Sequence, residues 1–424
     1  MSGSSTGDSR VPVDASRFAA WYRPMRGRRP REAHRAATPL ELFFDLCFVV
    51  AIAQAGSRLE HAIGTTHFQS GIVGFLLIFF AIWWAWMNFT WFASAYDTDD
   101  VPYRVATLVQ ISGVLILASG VPHALTELDF TVPILGYAVM RTALISQWLR
   151  AAVQETTSGR RRTCLRYALG IAVAEVCWIS WLFVPEGWRL GCFVMFACVE
   201  LAVPLFAEWY HRTPWHPGHI GERYGLFTII VLGESVTAAT LGIQSVVDWQ
   251  GGGGLGDLTG VVIGGLLIVF AMWWQYFSVP AHELVTRRSR RLSHSLLWGY
   301  GHLFLFAAVA AVGPGLVVAA HQVLGENELG PRAAGAAVTI PVALYVLSVE
   351  FLQLRSYQRP GLLRWIFPAC AVAVLAATFA PDPVVVTGVL LSVSVAAAVA
   401  VTGLTPVPGQ LEGAEAREPE ALVE

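Results

Sequence analysis

The sequence contains no lysine: the Lys and Arg count of 28 consists entirely of arginines. Charge is scarce altogether. Asp, Glu and Arg make up 14% of the 424 residues, whereas water-soluble proteins carry about a quarter, so there is too little charge to coat a soluble surface. The formal net charge of -2 excludes the strong positive field that nucleic-acid binding needs, and no such partner is expected. Six cysteines (Cys47, Cys164, Cys177, Cys192, Cys198, Cys370) lack CxxC or paired spacing. All but Cys164 stand in apolar runs and read as small buried apolar side chains, not as metal or redox ligands. No GxSxG elbow, Walker loop, HExxH or zinc spacing is present, so the chain is expected not to be an enzyme, with neither cofactor nor metal. The first forty residues are polar and Arg-rich, without an apolar core or cleavage site. No cleavable leader is expected, and the first membrane helix must serve as its own insertion signal.

What is present is hydrophobicity, 55% of the chain, gathered into apolar runs of about twenty residues, each long enough to cross about 30 Å of hydrocarbon as a helix. These runs predict an all-α integral membrane fold of about twelve transmembrane helices, near 39–58, 70–95, 102–122, 131–150, 163–183, 188–209, 220–243, 259–280, 293–320, 333–354, 362–380 and 383–404. They lie between a disordered basic N-terminus (1–36) and a disordered acidic tail (405–424). With the N-terminus cytoplasmic, the inside segments hold 24 of the 28 arginines, the outside loops hold Arg58, Arg189 and Arg332, and Arg141 lies within a helix. That asymmetry matches the positive-inside rule for twelve spans with both termini cytoplasmic.

The chain also repeats. Leu76-Leu-Ile-Phe-Phe-Ala-Ile-Trp-Trp84 aligns with Leu266-Leu-Ile-Val-Phe-Ala-Met-Trp-Trp274. Glu41-Leu-Phe-Phe-Asp-Leu46 aligns loosely with Glu222-Arg-Tyr-Gly-Leu-Phe227. Pro122 matches Pro314, which pairs Gln110 with His302, and Pro133-x-x-x-Tyr137 matches Pro341-x-x-x-Tyr345. The expectation is a six-helix half at 37–212 and a second at 213–404. An even helix number gives the halves the same orientation, related by a pseudo-two-fold axis along the membrane normal.

An ionisable group in hydrocarbon costs about 2.5–3.5 kcal/mol on insertion scales and needs a partner or a purpose. Glu41 and Asp45 share one face of helix one, a single turn apart. Helix seven carries Glu222, Arg223 and Glu234. Glu41 and Glu222 stand where a helix N-terminus favours negative charge, so capping or pairing competes with function there. Asp45 and Glu234 lie deeper, at the depth of a proton or cation relay or a substrate anchor, with Arg223 as counter-charge. Arg141 and Glu350 are near-equivalent across the repeat and suggest a cross-half ion pair. Glu175 and Glu200 read as packed acids with hydrogen-bond partners. His302 reads as a packing residue or a proton relay. Asp97, Asp99 and Asp100 follow the Trp-rich end of helix two and suit pairing with nearby arginines. The tryptophans (Trp83, Trp84, Trp86, Trp91, Trp273, Trp274) read as an interfacial belt. Gly313-Pro-Gly315 is expected to break or kink helix nine, and broken helices often line transporter sites.

Arg35-Ala-Ala-Thr-Pro-Leu-Glu-Leu-Phe-Phe-Asp-Leu-Cys-Phe-Val-Val50 and His219-Ile-Gly-Glu-Arg-Tyr-Gly-Leu-Phe-Thr-Ile-Ile-Val-Leu-Gly-Glu-Ser235 resemble the two signature blocks of the bacterial low-temperature-requirement protein A family. The resemblance runs from about residue 34 to 404. It implies a multi-pass protein of the bacterial plasma membrane connected with growth in the cold, and it singles out Glu41, Asp45, Glu222, Arg223 and Glu234, which stand inside those blocks. The leading expectation is a transporter or permease of an unknown small solute or ion, with a polar cavity between the halves lined by helices one and seven. A cation channel on the same repeat and a non-transporting sensor or scaffold are the alternatives. The lipid bilayer is an expected partner, and a homo-oligomer is compatible.

Overall fold

The computed structural model describes residues 21–28, 36–65, 68–126, 129–247, 255–279, 281–288, 292–353 and 365–402. Helices form wherever the apolar runs stand: α1 (Pro39–Gly64), α2 (Phe68–Tyr96), α3 (Val101–Thr126), α4 (Thr131–Gln154), α5 (Ser158–Trp181), α6 (Glu186–Ala207), α7 (Pro217–Val247), α8 (Leu255–Phe277), α9 (Ala281–Arg288), α10 (Leu292–Leu324), α11 (Pro331–Leu352), α12 (Ile366–Ala377) and α13 (Pro383–Thr402). No strand occurs among the described residues.

Nine of the described helices are long and apolar enough to cross a membrane: α1, α2, α3, α5, α6, α8, α10, α11 and α13. The three others that coincide with predicted spans differ for readable reasons. Arg141, Gln147 and Arg150 dilute α4, and Glu222, Arg223 and Glu234 dilute the first eighteen residues of α7. The described part of α12 is only 12 residues long. The short α9 was not expected from the sequence.

Local chemistry sets the start of α1. Thr38 is an N-cap in extended conformation, Pro39 follows it, and Thr38 and Glu41 close a reciprocal capping box, which satisfies two backbone donors that the first turn leaves open. The core is built on α2 and α10, the most buried of the spanning helices. Helix α1 packs on α2, α3 and α10, and α7 on α8, α10 and α1. Neighbour relations recur: α3 lies on α4 as α10 lies on α11, and α4 on α5 as α11 on α12. In the first of these pairings Gly113 and Gly136 face each other so closely that a Cβ on either would overlap backbone atoms of the opposite helix. Gly315 meets the Ala337 carbonyl in the same way. With lipid on the outside, close van der Waals contact through such small residues is the main force that joins helices.

Three expectations are corrected at this level. Trp83, Trp84 and Trp86 are not an interfacial belt: each is 0% exposed, packed at the centre of the bundle, whereas their repeat partners Trp273 and Trp274 are 40% and 36% exposed. Indoles are drawn inward here because α2 has no exposed residue from Leu77 onward and buried carboxylates accept from two of them. Of the break or kink expected at Gly313-Pro-Gly315, the break does not occur: α10 runs through Pro314 from Leu292 to Leu324. The Pro314 ring packs against Gly56 of α1, whose missing side chain leaves room for it. Residues 21–28, inside the stretch expected to be disordered, lie against the ends of α2 and α4. Arg23 N donates to Asp100 Oδ2 (2.8 Å), Gly27 N to Glu155 Oε2 (3.1 Å) and Arg28 N to the Ala95 carbonyl (3.0 Å), and Met25 N donates to Gln154. The acidic tail, 405–424, lies outside the described residues.

Candidate functional site

Spacing on two helices creates the site. Glu41 and Asp45 are four residues apart on α1, and His219 and Arg223 four apart on α7, so each pair presents a single stripe. The stripes face each other rung by rung. His219 Nε2 lies 3.2 Å from Glu41 Oε1 and 3.3 Å from Oε2. One turn on, Arg223 donates to Asp45 from Nε (3.0 Å) and Nη2 (2.5 Å). Both rungs span 178 residues, so the two helices run parallel and in register at this point. Arg223 Nη1 also stands 3.2 Å from Glu41 Oε1, tying the rungs together.

The surroundings complete the cage. From α2, Trp86 Nε1 donates to Asp45 Oδ1 (2.7 Å), Thr90 Oγ1 accepts from Arg223 Nη2 (3.4 Å), and the guanidinium stands 5.8 Å from the centre of the Phe89 ring. Glu41, Asp45, His219, Arg223, Trp86 and Thr90 are all 0% exposed. Asp45 therefore receives a two-pronged guanidinium and an indole, the charge-assisted geometry that lets an ion pair survive away from water. Glu41 does double duty, capping α1 through Thr38 and meeting both basic residues of α7. Glu222, half-buried on the same helix, accepts from Ala37 N (3.2 Å) at the entry to α1.

A second buried cluster lies among α2, α4, α5 and α6. Arg141 donates to Glu200 Oε1 (2.7 Å) and to the Tyr137 hydroxyl (2.6 Å), while Trp84 Nε1 (2.6 Å) and Trp178 Nε1 (3.0 Å) also donate to Glu200. The expected Arg141–Glu350 pair is thus replaced by Arg141–Glu200. Those two residues face each other within one six-helix stretch, whereas Glu350 belongs to α11. Glu200 has the hydrogen-bonded role expected of it. Glu175 is buried within electrostatic reach of both Arg141 and Glu200, and neither of its carboxylate oxygens has a hydrogen-bond partner among the described residues.

The remaining expected site residues stay apart from the cage. Glu234 is half-buried eleven residues beyond Arg223 and has neither a hydrogen bond nor an ion pair among the described residues. Arg223 is thus the counter-charge of Asp45 and Glu41, not of Glu234. Gln110 donates to Gln147 (2.9 Å), and His302 has Nδ1 2.7 Å from the Trp298 carbonyl and Nε2 3.4 Å from the Tyr276 hydroxyl. These two, paired by the sequence repeat, each bond within their own helical neighbourhood. The acids after α2 do meet arginines: Asp99 with Arg104 (2.8 Å), Asp100 with Arg150 (2.5 Å) and Asp97 with Arg28 (4.0 Å).

His219, Trp86 and Thr90 are the cage residues the sequence reading passed over. The signal for His219 was available: it precedes Arg223 by the same four residues that separate Glu41 from Asp45. For Trp86 and Thr90 no sequence signal distinguishes them from their neighbours on α2.

The chain is similar to an uncharacterized protein of Rhizobium meliloti, 25% identical over 300 residues, which cover 67% of this chain and 70% of that one. No solved structure matches. Residues 36–402 match the family described as bacterial low temperature requirement A protein, and this stretch holds both charge clusters and every described helix. The helices make this a multi-pass membrane protein, and it belongs to the bacterial low-temperature-requirement A family.

Proposed function

We propose that this protein is a proton-coupled transporter of the plasma membrane, and that the cage between α1 and α7 is its coupling site, seen closed. The observation that carries the reading is a charge count. Two carboxylates, Glu41 and Asp45, face one permanent cation, Arg223, and one histidine, all fully buried. With His219 neutral the cage carries one excess negative charge, which hydrocarbon tolerates only at a cost of several kcal/mol. One added proton, on His219 or on a carboxylate, makes it neutral. A site that is neutral only with one exchangeable proton, placed where two groups of helices meet, can link protonation to their separation. Glu234, further along α7, is the acid proposed to continue the path.

The wider architecture of this reading is twelve helices in two six-helix halves, with both termini cytoplasmic. The arginine asymmetry, the recurring sequence strings, the repeated neighbour relations and the parallel register of α1 and α7 support it. In a two-fold arrangement, the reach of α7 to Glu41 should be mirrored by the entry of α1 reaching Glu222. The Ala37–Glu222 hydrogen bond has that form.

A sensor or scaffold is the second reading. It is favoured by the closure itself, since Asp45, Phe48 and Ile52 are all buried and Asp45 is held by three donated hydrogen bonds. Proteoliposomes with an imposed pH gradient, assayed over a panel of small ions and metabolites, separate the two. Transport predicts solute flux coupled to proton movement, with coupling lost in Asp45→Asn and reduced in Glu234→Gln. Flux unchanged by Asp45→Asn overturns the assignment of the cage, and a panel without flux transfers the cage to the sensor reading.

A further inference from the structure

A different chemistry lies on the other side of α2. A small recess of about 30 Å³ opens between α2, α4, α5, the end of α6 and the start of α10. Four aromatic residues line it: Trp84 and Trp91 from α2, Trp148 from α4 and Tyr167 from α5. Their rings pack on one another and on neighbouring aromatics. Trp148 stacks on Tyr167 at 4.2 Å, Trp84 packs edge-on against Tyr300 at 5.6 Å, and Trp91 against Trp215 at 4.9 Å. The same recess is lined by Glu208, which caps the C-terminus of α6 and is 5% exposed. Its Oε1 accepts from the Tyr167 hydroxyl (3.0 Å) and from Thr213 Oγ1 (2.5 Å), while its buried Oε2 has no hydrogen-bond partner among the described residues.

We propose that this recess binds a small organic cation, an alkylammonium or quaternary ammonium ion. Three features converge on positive charge. The faces of tryptophan and tyrosine rings attract cations through their quadrupoles, more strongly where water is excluded. A carboxylate buried with one oxygen open needs a counter-charge. The C-terminal end of α6 contributes the negative pole of its dipole at the same place. Arg212 lies within electrostatic reach of Glu208, but its side chain is exposed, where solvent screens its charge. An anion would be repelled by Oε2, and a neutral solute would leave its charge uncompensated. A hard metal ion would need several oxygen ligands, and no group of three or more metal-ligating side chains occurs among the described residues. The apolar walls suit the alkyl groups of an organic ammonium ion instead. The inference does not depend on transport, because binding is measurable whether or not the ligand crosses the membrane.

The test is equilibrium binding to the purified full-length protein in nanodiscs, followed by tryptophan fluorescence and by calorimetry. The probes are tetramethylammonium, choline and butylammonium. Choline's uncharged isostere, 3,3-dimethylbutan-1-ol, measures the contribution of charge on the unaltered protein. The expected result is saturable binding of at least one cation, at least about tenfold tighter than the isostere, with at least about tenfold loss in Glu208→Gln. Absence of saturable binding by all three cations overturns the proposal, as does isostere binding of equal strength. Binding unchanged in a Glu208→Gln protein whose melting temperature matches the unaltered chain also overturns it. Should Glu208→Gln fail to fold, the cation-to-isostere ratio on the unaltered protein decides alone.

Discussion

Arg223 and Arg141 are both buried, and each faces two carboxylates, one of which also accepts from an indole N–H of α2. Trp86 and Trp84 supply those indoles. Two residues apart on a helix of 3.6 residues per turn, they point to nearly opposite sides, so α2 stands between the two clusters and serves both. The difference is in what each cluster joins. Arg223 binds Asp45 of α1, 178 residues away in sequence, and Glu41 one turn before it, and both of those acids have partners. Arg141 binds Glu200, 59 residues away, and leaves Glu175 without a hydrogen bond. One cluster holds two distant segments together and is closed. The other organises a single bundle and keeps a spare acid. Equal charge composition therefore does not give equal consequence, because a buried ion matters through the partners that remain if one is removed.

The largest expected effect follows from that statement. Arg223→Leu strands Asp45 and Glu41 in the interior and should destabilise the fold by about 3–5 kcal/mol, read as a marked fall in the melting temperature of the detergent-purified protein. Arg141→Leu should cost less, about 2–3 kcal/mol, because Glu200 keeps two indole donors. A larger loss for Arg141 than for Arg223 would break the comparison.

The shared helix offers a finer test. Trp86→Phe removes one of the three hydrogen bonds to Asp45, and a bond to a charged group is worth about 1.5–3 kcal/mol. Trp84→Phe removes one of three to Glu200, so the two substitutions should have similar costs in the same melting assay. Asp100 provides a reference outside the spans. Burial alone would raise its pKa, but hydrogen bonds from Arg150, Arg23 N and Tyr103 N hold the carboxyl below the ordinary aspartate value. A carboxyl depressed in the folded state stabilises above its unfolded pKa of about 3.9, and that contribution is lost as pH falls through the folded value. Melting temperature should therefore drop below about pH 4, with a shallower drop in Asp100→Asn. The smallest effect is expected for Glu175→Gln, within about 1 kcal/mol of neutral, since no hydrogen bond is lost. A large loss there would show that Glu175 is engaged as fully as Glu41.

The positions of the helices were legible from apolar runs, and Glu41, Asp45 and Arg223 were legible as costly charges at regular spacing. The pairing was less so. Arg141 looked toward Glu350 because repeat equivalence suggested it, yet it meets Glu200. Equivalent residues of a repeat occupy similar places in their own halves and need not touch. The tryptophans were misread for a related reason. Nearly identical strings place Trp84 in the core and Trp274 at the surface, because the string sets which residues share a helix face and not what lies opposite that face.

The sequence by itself determined that this chain crosses a membrane repeatedly, and where. Hydrocarbon admits only runs of about twenty apolar residues as helices, and that is a one-dimensional requirement. It also determined that Glu41 with Asp45, and His219 with Arg223, would each form one stripe. Only the tertiary structure decided that these two stripes meet rung by rung, that Trp86 and Thr90 close the cage, and that Glu234 stands outside it. Helical periodicity orients side chains around one axis, but the choice of neighbour is made by the packing of all the axes together.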